Sequence, residues 1–158
     1  MILETDVYDA AQSIFRGSFD LIDIVFIIIL LFLLLVSALV SGSEVAYFSL
    51  TPGNLDKLKE KGYDKVFNLH KKPNLLLSTI LITNNFVNVG IVILSTYLVN
   101  SMFDFSRSPV LGFIIQVILV TFLILLFGEI IPKLYANRSQ VRVAILMAGP
   151  LTFLTYLF

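Results

Sequence analysis

Three stretches of at least 20 residues carry no charged side chain: residues 24–43, 73–103 and 108–128. The first is 20 residues long and the second 31, and about 20 apolar residues of helix cross the ~30 Å of hydrocarbon in a bilayer. Hydrophobic residues make up 58% of the sequence and charged ones 14%, against about 25% charged in a soluble domain. The fold class that follows is all-α and integral to a lipid bilayer. With 11 basic and 11 acidic residues the net charge is zero, so nothing global points to nucleic acid. There is no cysteine and one histidine, which excludes thiolate sites and argues against imidazole-rich metal sites.

The segments between the runs set the topology. Residues 1–23 hold five acids and one arginine, the wrong charge for a cleaved secretory leader. Residues 1–20 therefore read as an extracytoplasmic segment ahead of a retained span. Thr51-Pro52-Gly53-Asn54 is a turn that can start a helix at Pro52. The stretch after it, to Lys72, is amphipathic, with a break at Gly62. Lysines 57, 59, 61, 65, 71 and 72 outnumber Asp56, Glu60 and Asp64 there, which places this helical hairpin in the cytoplasm. Lys133, Arg138 and Arg142 follow the third run without an offsetting acid, placing that end inside too. The expected spans are 21–48, 74–100 and 108–132, with juxtamembrane helices over 52–72 and 138–158. The last of these, broken at Gly149-Pro150, is favoured as a belt in the inner interface over a fourth crossing. An ending on Leu157-Phe158 suggests a piece of a longer protein.

Polar groups interrupt the apolar runs at three places. In Leu126-Phe127-Gly128-Glu129-Ile130-Ile131-Pro132-Lys133 a carboxylate lies where insertion costs roughly 2.5–3.5 kcal/mol, which makes it a functional-site hypothesis by default. Pro132 has no N–H to give the Gly128 carbonyl and crowds it. Such a broken turn survives in a membrane only packed in protein or lining a polar cavity. Asn84 and Asn88 share a helix face, with Asn85 offset by about 100°. Ser41-Gly42-Ser43-Glu44 ends the first run. Ser41 and Ser43, two apart, share no face of a regular helix, so either one points elsewhere or the helix is distorted at Gly42. Single serines and asparagines in spans often serve only as interhelical glue; three such groups favour a site.

All these candidates are oxygen donors: hydroxyls, carboxamides, a carbonyl and carboxylates. That set suits a hard cation, Mg2+ or Na+. Lys133, four residues after Glu129, is spaced to pair with it.

The segments Ser41-Gly42-Ser43-Glu44-Val45-Ala46, Thr83-Asn84-Asn85-Phe86-Val87-Asn88 and Phe127-Gly128-Glu129-Ile130-Ile131-Pro132-Lys133 resemble the hallmarks of the CorC/CNNM family of magnesium transporters. The resemblance runs from the first span to the end and implies a domain over 21–158 with three transmembrane helices, a cytoplasmic hairpin and a juxtamembrane belt. It also implies a homodimer in the bacterial inner membrane, amino terminus outside and carboxyl terminus cytoplasmic, followed by soluble CBS and CorC-type domains. The activity it implies is sodium-coupled magnesium export rather than an enzymatic reaction, with the ion held at breaks in three helices. Ser41, Asn84, Asn88, the Gly128 carbonyl and Glu129 carry over as the metal site, with Ser43, Glu44, Asn85, Pro132 and Lys133 as further members. Position 83 is threonine where the family pattern suggests glycine. The motifs are also similar to gliding-motility-associated membrane proteins, and a membrane anchor without transport is the alternative.

Overall fold

A computed structural model describes residues 20–105 and 108–157; the expected amino-terminal segment, save Asp20, lies outside the described residues. Among these there are helices and no strand: α1 (Leu21–Phe48), α2 (Pro52–Glu60), α3 (Asp64–His70), α4 (Pro73–Met102) and α5 (Pro109–Leu123). A π-helical segment (Ile124–Ile130) joins α5 without a gap to α6 (Ile131–Arg138), and α7 (Gln140–Leu157) closes the chain. Proline opens α2, α4 and α5, a position where its missing N–H would have no helical partner anyway. Gly62, with φ at 81°, makes the turn between α2 and α3, a conformation that glycine adopts without penalty.

The first two expected spans coincide closely with α1 and α4. The third differs: the helix does not stop at Pro132 but continues to Arg138. Pro132 falls in the first turn of α6, just where hydrogen bonding passes from the π to the α register. The helix therefore absorbs a residue that would break it elsewhere. Nor are α1 and α4 interrupted, since each is a continuous α-helix through its polar motif. The expectation of three helix breaks is thus corrected to one irregular segment, in the third helix alone.

Helix α1 is the central element. Its inner half contributes Val40, Ala46 and Tyr47 to a core with Leu58, Val66 and Leu69 of the hairpin, Leu76 and Ile80 of α4, and Met147 and Leu151 of α7. A smaller cluster of Val87, Ile91, Val120 and Ile124 lies further along α4 and α5. At the opposite end Asp23 is buried, accepting a hydrogen bond from Ser101 Oγ at 2.7 Å and from the Asp20 N–H at 3.2 Å. That pair caps the start of α1 and ties it to the end of α4. Val110, Phe113, Ile118 and Phe122 of α5 are exposed, as side chains facing lipid would be.

Among the described residues four segments are long and apolar enough to cross a membrane by length and composition, with α7 as the fourth. Its packing is distinctive. Val141 and Ile145 near its start share a cavity with Lys57 and Lys61, and Thr152 and Tyr156 near its end share another with Lys65 and Lys72. Both ends of an 18-residue helix, about 27 Å long at 1.5 Å per residue, therefore meet the lysine-bearing hairpin. The Tyr47 hydroxyl, fully buried, donates to the Ala144 carbonyl at 3.0 Å and fixes α7 to α1. Tyr47→Phe keeps the packing and removes that bond, so the chain in detergent should lose about 1 kcal/mol, read as a lower midpoint of thermal unfolding.

Candidate functional site

The polar groups of the three helices converge on a residue that the sequence reading passed over. Ser37, buried in α1, approaches Asn84 Oδ1 at 3.1 Å and Asn88 Oδ1 at 2.9 Å. A hydroxyl has one proton, so it cannot donate fully to both. Three oxygens thus meet around one hydrogen, and the uncompensated lone pairs call for a cation or a turned carboxamide. From the other side Gly128 presses on the same hydroxyl: a Cβ on Gly128 would stand 2.9 Å from Ser37 Oγ. Glycine is required here by that approach and not by backbone conformation. The regular spacing of Asn84 and Asn88 on α4, one turn apart, is what lets a single serine reach both.

Ser41 lies one turn beyond Ser37 on the same face of α1. It is 1% exposed, and its hydroxyl has no hydrogen-bond partner among the described residues. The Thr83 hydroxyl is likewise buried and unpartnered. A buried hydroxyl without a partner costs roughly 1–3 kcal/mol, so Ser41, one turn from Ser37, marks a place built to receive something. Glu129 follows Gly128, is half-buried, and makes no hydrogen bond or ion pair among the described residues.

The close packing of α1 on the third helix explains how these groups meet. A Cβ on Gly42 would lie 3.3 Å from the Pro132 carbonyl oxygen and 3.6 Å from the Ala136 side chain, so small residues set the helix separation. The π segment contributes the rest. Its last bond runs from the Ile131 N–H to the Leu126 carbonyl. The next donor would be residue 132, serving Phe127 in the π register or Gly128 in the α register. Being proline it serves neither, so one regular helical donor to these carbonyls is lost.

Four sequence expectations change. Lys133 does not pair with Glu129 but with Glu44, at 3.1 Å, because α6 packs along α1 and the cross-helix partner is better placed. Glu44 is thereby committed to an ion pair outside the oxygen cluster. Ser43 donates to the Val40 carbonyl at 2.6 Å, so Ser43 is the serine that points elsewhere and no distortion at Gly42 is needed. Asn85 is exposed, apart from Asn84 and Asn88. Pro132 acts as packing against Gly42 and as the missing donor. Ser41, Asn84, Asn88 and Gly128 remain on the faces that meet. Ser37 was legible in principle: the i, i+4 rule that singles out Asn84 and Asn88 also pairs Ser37 with Ser41.

A family model described as the cyclin M (CNNM) transmembrane N-terminal domain matches residues 28–158. A UPF0053 protein of Haemophilus influenzae is 37% identical over 134 residues, covering 83% of this chain and 31% of the relative. Metal transporter cnnm-4 of Caenorhabditis elegans is 31% identical over 116 residues, 68% of this chain and 24% of that protein. A second Haemophilus influenzae protein, the polyamine export protein, is 31% identical over 137 residues, 80% of this chain and 32% of its own length. The chain thus spans a quarter to a third of each.

Proposed function

The chain belongs to the cyclin M transmembrane-domain family, and from that premise we propose that it is the membrane part of a magnesium transporter. The cargo ion is bound by Ser37, Ser41, Asn84, Asn88, the Gly128 carbonyl and Glu129. The observation that carries this reading is the convergence of Ser37 with both asparagine oxygens. Magnesium takes six oxygens at 2.0–2.1 Å in an octahedron, so neighbouring ligands lie about 3 Å apart, the spacing of the Ser37 and asparagine oxygens. A hydrogen bond shared among these atoms holds them at the separation an ion needs. The unpartnered Ser41 hydroxyl supplies a further oxygen without adding charge. A single free carboxylate attracts the ion without trapping it, since conduction requires that binding be weak enough for release.

The printed name of one relative brings a second cargo class, an organic polycation. An extended polyamine needs several anionic or aromatic contacts spaced along a path, whereas the oxygens here gather at one point and Glu44 is already paired. A compact ion fits better. An anchor without transport, the remaining alternative, requires no ion dependence.

In this reading the protein is a homodimer in a bacterial plasma membrane, with export coupled to sodium and the soluble CBS and CorC-type domains of the full-length protein on the cytoplasmic side. α1, α4 and the third helix cross the bilayer. α7, which meets the hairpin at both ends, lies along the inner interface. The lysine-rich hairpin faces the cytoplasm.

Binding is tested by thermal unfolding of the purified chain at rising magnesium concentration. A ligand at 100 times its dissociation constant stabilises the folded state by about 2.7 kcal/mol. The midpoint should climb with magnesium, and Asn84→Ala should flatten that response while the variant stays folded. Spermidine should not reproduce the rise. A magnesium-independent midpoint in the unaltered chain would overturn the proposal in favour of the anchor, and a rise with spermidine alone would favour a polyamine.

A further inference from the structure

Where the end of the hairpin, the start of α4 and the end of α7 meet, a cavity of about 530 Å³ opens beside Lys65, Lys71 and Lys72. Its other wall is apolar, including Leu75 and Leu76, with Tyr156 also lining it, and no acidic residue among the described ones does. Lys72 directly precedes Pro73, the first residue of the α4 span. The cavity therefore sits at the level where water gives way to hydrocarbon. Positive charge is crowded there: the Lys71 ammonium lies 4.5 Å from the centre of the Phe67 ring and that of Lys59 lies 5.0 Å from the same ring. Two cations over one aromatic ring repel each other, and an anion beside them relieves the repulsion.

We propose that this cavity binds the headgroup of an anionic phospholipid from the leaflet that the hairpin faces. The three ammonium groups surround the phosphate, and Leu75 and Leu76 meet the glycerol and the first acyl carbons. Basic pockets between helices at the membrane surface have the chemistry that recognises such headgroups. Thr152 and Thr155 already donate to the Ala148 and Thr152 carbonyls at 2.6 and 2.7 Å, so the donors available to a phosphate are the lysines, the Asn68 carboxamide and the exposed Tyr156 hydroxyl. A free phosphate ion would leave the apolar wall unused. A lipid uses both walls. Because α7 is seated by Tyr47 on the helix that carries Ser37 and Ser41, the lipid would brace the same helix that bears the candidate metal site, although its binding does not depend on what that site carries.

The test compares the whole chain in nanodiscs of phosphatidylcholine with 20% phosphatidylglycerol (about the fraction at which competition is readily read), counting co-purified lipid by native mass spectrometry. Phosphatidylglycerol should be enriched on the protein over phosphatidylcholine at least tenfold relative to the bulk. Lys65→Gln, Lys71→Gln and Lys72→Gln combined should abolish that enrichment. Removing the same charge elsewhere, through Lys57→Gln, Lys61→Gln and Arg138→Gln, should change it less than twofold. Equal loss in the two triple variants would mean diffuse surface attraction and overturn the proposal. So would displacement of the lipid from the unaltered chain by millimolar inorganic phosphate, which would mark a site for the free ion. The magnesium response of the thermal midpoint is a separate readout, so failure here is distinguishable from failure of the transport reading.

Discussion

Exchanging Glu129 for alanine in the full-length protein should cut magnesium flux at least a hundredfold while leaving the fold as stable as before or more so. The two halves of that expectation come from one fact, that Glu129 is half-buried in a membrane helix with no partner among the described residues. An unpartnered carboxylate in a membrane helix is costly, up to about 2.5–3.5 kcal/mol at the bilayer centre, so its removal relieves a burden where a structural ion pair would have left a partner stranded. Flux is read in reconstituted vesicles with a magnesium-sensitive dye, and stability by thermal unfolding in detergent without added metal. A variant that moves magnesium at the original rate would remove Glu129 from the mechanism. One that unfolds at markedly lower temperature would make it structural. The contrast with Glu44 is instructive, because its carboxylate is engaged by Lys133 at 3.1 Å. Glu44→Gln should disturb the junction of α1 and α6 without silencing transport.

The second large effect concerns Gly128. Gly128→Ala puts a methyl group 2.9 Å from Ser37 Oγ but 3.6 Å from Ser37 Cβ. The first distance forces a shift and the second is ordinary contact. Overpacking of this kind costs typically 1–3 kcal/mol, and here it also pushes Ser37 away from Asn84 and Asn88. The single variant should therefore lose both stability and magnesium response. Adding Ser37→Ala removes the colliding atom, so the double variant should regain most of the thermal midpoint yet remain unresponsive to magnesium. Were the double variant to recover the response as well, the Ser37 oxygen would not belong to the site. Gly149→Ala is the control, since nothing lies within 4 Å of a Cβ there.

Much of the architecture is legible in the sequence, for reasons that particular residues make plain. Span limits follow from charge: Asp23 and Asp20 fence the start of α1, and Lys71 and Lys72 the start of α4. Prolines 52, 73 and 109 mark first turns because only there is a missing donor harmless. What could not be read was how one helix meets another. Glu129 and Lys133 have the spacing of an intrahelical pair, but cross-helix distance decided otherwise and gave Lys133 to Glu44. Ser37 lies amid leucines and valines, where a lone hydroxyl is easily taken for packing, and only the approach of α4 and Gly128 shows what it faces. The break foreseen at Pro132 became a π segment because its neighbours could supply bonds in a wider register, a choice that depends on packing around Ile124 and Gly128, both buried.

That wider segment also settles which way each half of the third helix looks. Before it in the chain, Gln116 Nε2 donates to Thr96 Oγ1 at 2.6 Å and the helix leans on α4. After it begins, Gly128, Pro132 and Ala136 lie against α1. A uniform α-helix advances about 100° per residue throughout and would present one fixed stripe to a single neighbour. By taking up slack over seven residues the chain changes phase midway, so a single rod greets two different companions and its one unpaired acid lies near the joint between them.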